Sequence, residues 1–422
     1  MTNRAPVQLY EQLMVRLHSE LRDGRGGSAS ADALRDEMDV PWAQLSTDEH
    51  GALDLLSEDL YEVSGKRRAV LLAPGDTSKS VLDGAGTALR RRDYRRTLEL
   101  LRKADPQALP TDVRFCMLGR CWDELGFSLA ATEFFDRAYG IGKRANYAVM
   151  ALNTLVRAGQ RDEVLARIAK IEADPKAAAA LRLRAAGCLF ETAEGATPPD
   201  TTGIFLRVIN LVEPSLDAPD VVPSLRATAL IAEGFSYEHM GENTKALQAF
   251  DKAVNIHEHD SALIARAFSQ LATNRPAALA DFQRALNLGT SLPWPYLYLA
   301  HDALLAGRYD RLEELCTEGL QRSRRHRVRA QFYEWAAIAA AQLGRVPSIV
   351  GERFARAMAE DPFEARIQAN AAAWEAAVQE AAKKKQAKVT SPSPWDYARQ
   401  LDDESARKSL SRRATKALAA AA

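Results

Sequence analysis

The chain has 422 residues, 47% of them apolar and 7% aromatic, with Lys plus Arg (56) equal to Asp plus Glu (56). That length accommodates a few ordinary domains or one long array. The balanced charge excludes the bulk electrostatics of a nucleic-acid coat or a membrane-surface protein, and leaves any such role to a local patch.

Residues 1–77 open with MTNRAPVQLYEQL, which holds no apolar run of the signal-peptide kind. Val7, Tyr10, Leu13, Met14, Leu17 and Leu21 fall on one helical stripe, Gly24 stops that helix, and GRGGSASA reads as a flexible linker. The STDE run at 46–49 fits a capping box, with Leu53, Leu56 and Leu60 as the apolar face behind it. We expect two or three helices here, either covering the first helices after residue 77 or forming a separate docking element. The stretch LLAPGDTSKS (71–80) ends in Lys-Ser like a phosphate loop. Ser78 and Ala73 stand where that loop needs glycines, so it reads as a turn leading into a helix.

From residue 78 a pattern recurs. TEFFDRA ends at Ala138, LQAFDKA at Ala253, LADFQRA at Ala285 and ERFARA at Ala357, each with an aromatic residue three positions before the alanine. Ala246 to Ala278 and Phe250 to Phe282 are both 32 residues apart, and Gly126 to Gly159 is 33. A period in the low thirties, with two helices and a glycine turn per unit, marks a helical repeat array. Alanine, the strongest helix former, is abundant throughout.

On these residues the chain resembles the tetratricopeptide repeat family. One unit carries Gly234, Tyr237, Gly241, Ala246, Phe250 and Ala253; another carries Gly119, Trp122, Gly126, Ala131, Phe135 and Ala138. The likeness covers roughly residues 78–362. It implies an all-α, right-handed helical-hairpin solenoid of about eight such repeats with helical caps. In that reading the small residues let the two helices of a pair approach closely, and Phe250 fills the wedge between one pair and the next.

The other units fit less completely. Residues 78–111 have Thr97 where the family has alanine, and residues 145–178 put Val164, Ile168 and Ile171 on the second helix. The array is irregular around 179–226, where LVEPSLDAPDVVP makes a long break. Residues 363–384, with Ile367, Ala371, Trp374 and Val378 at helical spacing, read as a capping helix. Residues 385–422 form a basic tail containing Pro and Ser, expected to be mostly disordered with a frayed helix at its end.

Chemistry-bearing constellations are sparse. The HEHD run at 257–260 suggests a metal but offers no converging distant ligand, and GxSxG is absent, so we assign no metal, no cofactor and no catalytic residue. Cys116, Cys121, Cys188 and Cys316 form no CxxC pair and read as thiols of a reducing compartment, which suggests the cytoplasm. The longest alanine-rich run, 336–343, is far too short to span a bilayer. Two arginine clusters, Arg90, Arg91, Arg92, Arg95 and Arg96, then Arg322, Arg324, Arg325, Arg327 and Arg329, read as solvated rims.

In tetratricopeptide arrays the first helix of each pair lines the ligand groove. Carried over by position, this offers Arg120, Asn146, Asn153, Phe235, Trp294, Tyr298 and His301 as partner-binding residues, although each of them, Tyr298 especially, suits packing against a neighbouring repeat equally well. The family's clamp for a C-terminal carboxylate is matched only at Asn153, with Val149 and Cys116 where lysines are wanted. The resemblance implies a non-catalytic scaffold or adaptor gripping a protein or peptide segment. The alternative is a regulator that contacts nucleic acid or an acidic partner through the arginine clusters and the basic tail.

Overall fold

The computed structural model describes residues 5–65, 78–104, 109–193, 200–219, 221–386, 388–392, 395–397, 401 and 403–419. Most of the stretch that resembles a phosphate loop, 71–77, lies outside these residues, as does Arg399 of the tail. The described residues form α-helices and no strand. The chain divides into two compact units, Met1–Leu225 with Thr415–Ala422, and Arg226–Ala414.

The first unit begins with α1 (Ala5–Arg22), α2 (Ala29–Trp42) and α3 (Thr47–Val63). The α1 stripe turns inward: Leu13 and Met14 are buried, and Val7, Tyr10 and Leu17 pack beside them. The linker is shorter than expected, because Ser28 caps α2 by accepting the Ala31 N–H at 3.2 Å. The capping box forms at α3. Ser46 Oγ accepts the Glu49 N–H, and Glu49 Oε2 accepts the Ser46 N–H at 2.8 Å.

Four pairs come next: α4 (Ser78–Arg90) with α5 (Tyr94–Lys103), α6 (Thr111–Glu124) with α7 (Ser128–Gly142), α8 (Ala145–Arg157) with α9 (Arg161–Ala173), and α10 (Ala179–Thr192) with α11 (Asp200–Val212). Gly119 lies directly beneath the Phe135 ring, where an added Cβ would come within 2.9 Å of it. Thr97 is fully buried in alanine's place because its hydroxyl donates to the Asp93 carbonyl at 2.8 Å, which satisfies it. The irregular stretch still forms a pair, with Phe190 of α10 against Phe205 of α11.

The first three helices are tied to these pairs by buried polar groups. Asp59 of α3 accepts from Trp122 Nε1 at 2.9 Å and from Arg102 Nη2 at 2.7 Å. Arg114 donates to both carboxylate oxygens of Glu62 and to the Leu101 carbonyl. Glu11 of α1 reaches the start of α7 and accepts the Ala130 N–H at 3.0 Å.

The second unit contains all but the first residues of α12 (Pro223–His239), and α13 (Asn243–Ile256), α14 (Asp260–Gln270), α15 (Arg275–Asn287), α16 (Trp294–Leu305), α17 (Tyr309–Arg322), α18 (His326–Gln342), α19 (Pro347–Glu360) and α20 (Ala365–Lys383). Gly241 closes the α12–α13 turn at φ +78°, a left-handed backbone that a Cβ would strain. Gly234 carries the Phe250 ring on its bare backbone, 2.4 Å from where a Cβ would stand.

Phe250 packs within its own pair, edge-on to Phe235 at 5.2 Å. Between pairs, Phe282 stacks on Tyr298 of α16 at 5.0 Å, and within its own pair it meets Phe268 of α14 at 5.4 Å. Both units are thus runs of tetratricopeptide-like helical hairpins.

The tail was expected to be mostly disordered with a frayed helix at its end. In the structure Trp395 is buried against Phe354, and the Asp396 backbone is held at both its N–H and C=O by the Asn370 side-chain amide. A further helix, α21 (Asp403–Ala419), ends the described chain.

Candidate partner-binding face

The residues expected to line a groove divide between the units. In the first unit Arg120 is exposed and Asn146 half-buried. Asn153 has a specific partner: its Nδ2 donates to the carbonyl of Ala419 at 2.7 Å, while Cys188 Sγ donates to its Oδ1. Gly187 of α10 allows this approach, since a Cβ there would stand 2.9 Å from the Ala419 nitrogen and 3.0 Å from the Thr415 carbonyl.

In the second unit Phe235, Trp294, Tyr298 and His301 are all buried. Phe235 packs on Phe250, Tyr298 on Phe282, and His301 stacks on Trp335 at 5.6 Å. Trp294 lies under the Arg325 guanidinium, 5.2 Å from its ring centroid. None of the four is an open surface. Trp294 is linked to α21 through Arg325, which also reaches Ser405.

Those holding groups escaped the sequence reading. Ala406, Leu410 and Ala414 recur at four-residue steps on α21, and all three are buried. Arg407 donates to Glu238 Oε1 of α12 at 2.7 Å and to the Phe268 carbonyl of α14, with its guanidinium 5.7 Å from the Phe268 ring centroid. Arg413 donates to Asp260 Oδ2 at 3.0 Å and to Ser291 Oγ at 3.4 Å. Arg325, besides covering Trp294, donates to Ser405 Oγ at 3.0 Å.

The two acids are well shielded, with side-chain exposures of 14% for Glu238 and 16% for Asp260. Burial holds the Glu238 carboxyl above its ordinary value, against the opposing pull of Arg407. Asp260 belongs to the HEHD run. It also accepts from the Thr290 hydroxyl at 2.9 Å and from the Ser261 N–H and hydroxyl, so it serves helix seating. No group of three or more His, Cys, Asp or Glu converges among the described residues.

The arginine clusters sit where rims were expected. Arg90, Arg91, Arg92, Arg95 and Arg96 are exposed, with Arg96 paired to Glu99. In the second cluster Arg329 pairs with Glu360 at 2.6 Å and Arg327 lies 3.9 Å from Asp361. The four cysteines are free thiols. Burial pushes Cys116 up to about 11 and Cys121 up to about 12, and raises Cys188 and Cys316 as well. None is therefore an activated nucleophile. No helix among the described residues is long and apolar enough to cross a membrane.

No protein-family model matches the chain, and no curated protein sequence matches it. Solved structures do. The C-terminal part of a TPR repeat-containing protein from Cytophaga hutchinsonii is similar at 14% identity, over 67% of this chain and 96% of that one, with a TM-score of 0.34. Yeast Tom70 is similar at 12% identity, over 80% of this chain and 76% of that one, with a TM-score of 0.33. The P58(IPK) TPR domain is similar at 10% identity, over 81% and 97%, with a TM-score of 0.21. At such scores the fold assignment stands on this chain's own hairpins, glycine contacts and turn geometry.

Proposed function

We propose that the chain is a non-catalytic protein–protein interaction scaffold, an adaptor that holds a helical segment of a partner on the face of its second unit built by α12, α14 and α16. One observation carries this reading: that face already holds a helix, through an apolar stripe and two arginine–carboxylate pairs. Phe235, Trp294, Tyr298 and His301 act as its floor, with Glu238, Asp260 and Ser291 as its polar contacts. Four free thiols suit work in the reducing cytoplasm. Arg407 and Arg413 are engaged by the protein's own acids, so nothing favours the nucleic-acid alternative for the tail.

The test is capture with the full chain from its native cell, then cross-linking and mass spectrometry. The expected result is a saturable protein partner cross-linked to α12–α16. Failure to retain any protein saturably, across a range of salt concentrations, would rule the scaffold reading out.

A further inference from the structure

We propose that this face selects one class of partner: a basic amphipathic helix with alanine or leucine at four-residue steps and two flanking arginines, which binds by displacing α21. The inference deepens the scaffold reading and rests on it.

The α21 stripe in the second unit is small, two alanines and one leucine, so apolar burial alone holds it weakly. In that unit Arg407, Arg413 and the Arg325–Ser405 bond supply polar contacts beside it. Arg407 joins a carboxylate, a backbone carbonyl and an aromatic face, a combination that suits a planar guanidinium better than a lysine ammonium. The low exposures of Glu238 and Asp260 hold with α21 in place, so any helix that covers them in its stead has to supply cations or leave two carboxylates covered and unpaired. The face therefore requires a cationic occupant, and exchange of one arginine-bearing helix for another satisfies that requirement. A neutral or acidic helix does not.

The covalent connection sets the threshold for exchange. Trp395 is anchored on Phe354 a few residues ahead of α21, so the released helix stays tethered near its site. Effective concentrations for short tethers are on the order of millimolar, and an incoming helix has to exceed that competition. The apparent affinity of a partner is its intrinsic affinity reduced by the fraction of chains whose face is open.

The probe is a fluorescent synthetic peptide of residues 401–419, titrated into the full chain by anisotropy. With Arg407→Glu and Arg413→Glu in the chain, the peptide is expected to bind at least about tenfold more tightly than to the unchanged chain, because the tethered competitor is weakened. The same peptide carrying both Arg→Glu changes should not bind. Hydrogen exchange on the unchanged chain gives a readout independent of the variant's folding. Excess peptide should deprotect the α21 amides and leave those of α12–α16 protected.

Equal affinity for both chains overturns the proposal, and so does equal binding of both peptides or unaltered α21 protection. A variant that ignores the peptide but becomes dimeric by light scattering also overturns it, since the occupant is then a second copy. A chain that captures cell proteins yet ignores the peptide defeats this inference alone. One that binds the peptide yet captures no protein defeats the scaffold reading instead.

Discussion

Replacing Gly234 with alanine tests the hairpin contact directly. An added Cβ would stand 2.4, 2.7 and 2.8 Å from Cε1, Cδ1 and Cζ of Phe250. Carbon atoms rest comfortably at about 3.5–4.0 Å, so the ring has to retreat by about 1 Å. It has little room to do so, being fully buried with Phe235 edge-on at 5.2 Å. Overpacking of this kind costs about 1–3 kcal/mol, while exchanging glycine for alanine inside a helix returns about 1 kcal/mol. The net expectation is a loss of about 1 kcal/mol, and its sign separates it from the control. Gly51 is exposed in α3 with nothing within 4 Å of its hypothetical Cβ, so Gly51→Ala should stabilise by up to about 1 kcal/mol. Two compact units need not unfold together, so the assay is hydrogen exchange in denaturant, read at α12–α13 for one variant and at α3 for the other. If Gly234→Ala raises protection as Gly51→Ala does, the close-contact reasoning fails.

Four further outcomes are expected. Ala246→Leu, at a fully buried position in α13, should destabilise the second unit by about 1–3 kcal/mol, checked by the same exchange experiment. Burial raises the Glu11 carboxyl from 4.5 to about 7, so the folded state holds this proton more tightly than the unfolded one. Its contribution is therefore fully present below pH 4.5 and is lost as pH rises through 7, a change of about 3 kcal/mol, and Glu11→Gln should flatten the urea midpoint between pH 5 and pH 8. Asp59→Ala strands Arg102 and the Trp122 N–H and should cost about 3–5 kcal/mol in urea unfolding, with Arg102→Ala in the same chain recovering part of the loss. Under native conditions Cys116, half-buried, should be alkylated before the three buried thiols, measured by mass spectrometry after timed quenching.

Local signals made much of the fold legible. Gly234, Gly241 and Phe250 stand at spacings that only a close-packed helical pair uses well, and Ser46 with Glu49 announced a helix start that forms as a capping box. Thr97 looked like a defect in the repeat because its back-bond to Asp93 is invisible in a residue pattern. The face was harder to read. Ala406, Leu410 and Ala414 give a weak apolar period among many basic residues, so composition argued for a disordered tail. Glu238 and Asp260 acquire their role only when a distant segment supplies arginines, a long-range pairing that no local window contains. For Phe235, Trp294, Tyr298 and His301 the groove and packing readings stood level in sequence, because burial is decided by neighbours that no local window contains.

The Asp59 cluster bears on how this sequence can drift. One carboxylate serves an indole from α6 and a guanidinium from α5, so a change at any of the three positions alters the demands on the other two. Divergent homologues that lose the acid should also have exchanged Arg102 and Trp122 for apolar residues, and the trio should vary as a block while the solvent-facing positions around it change one at a time.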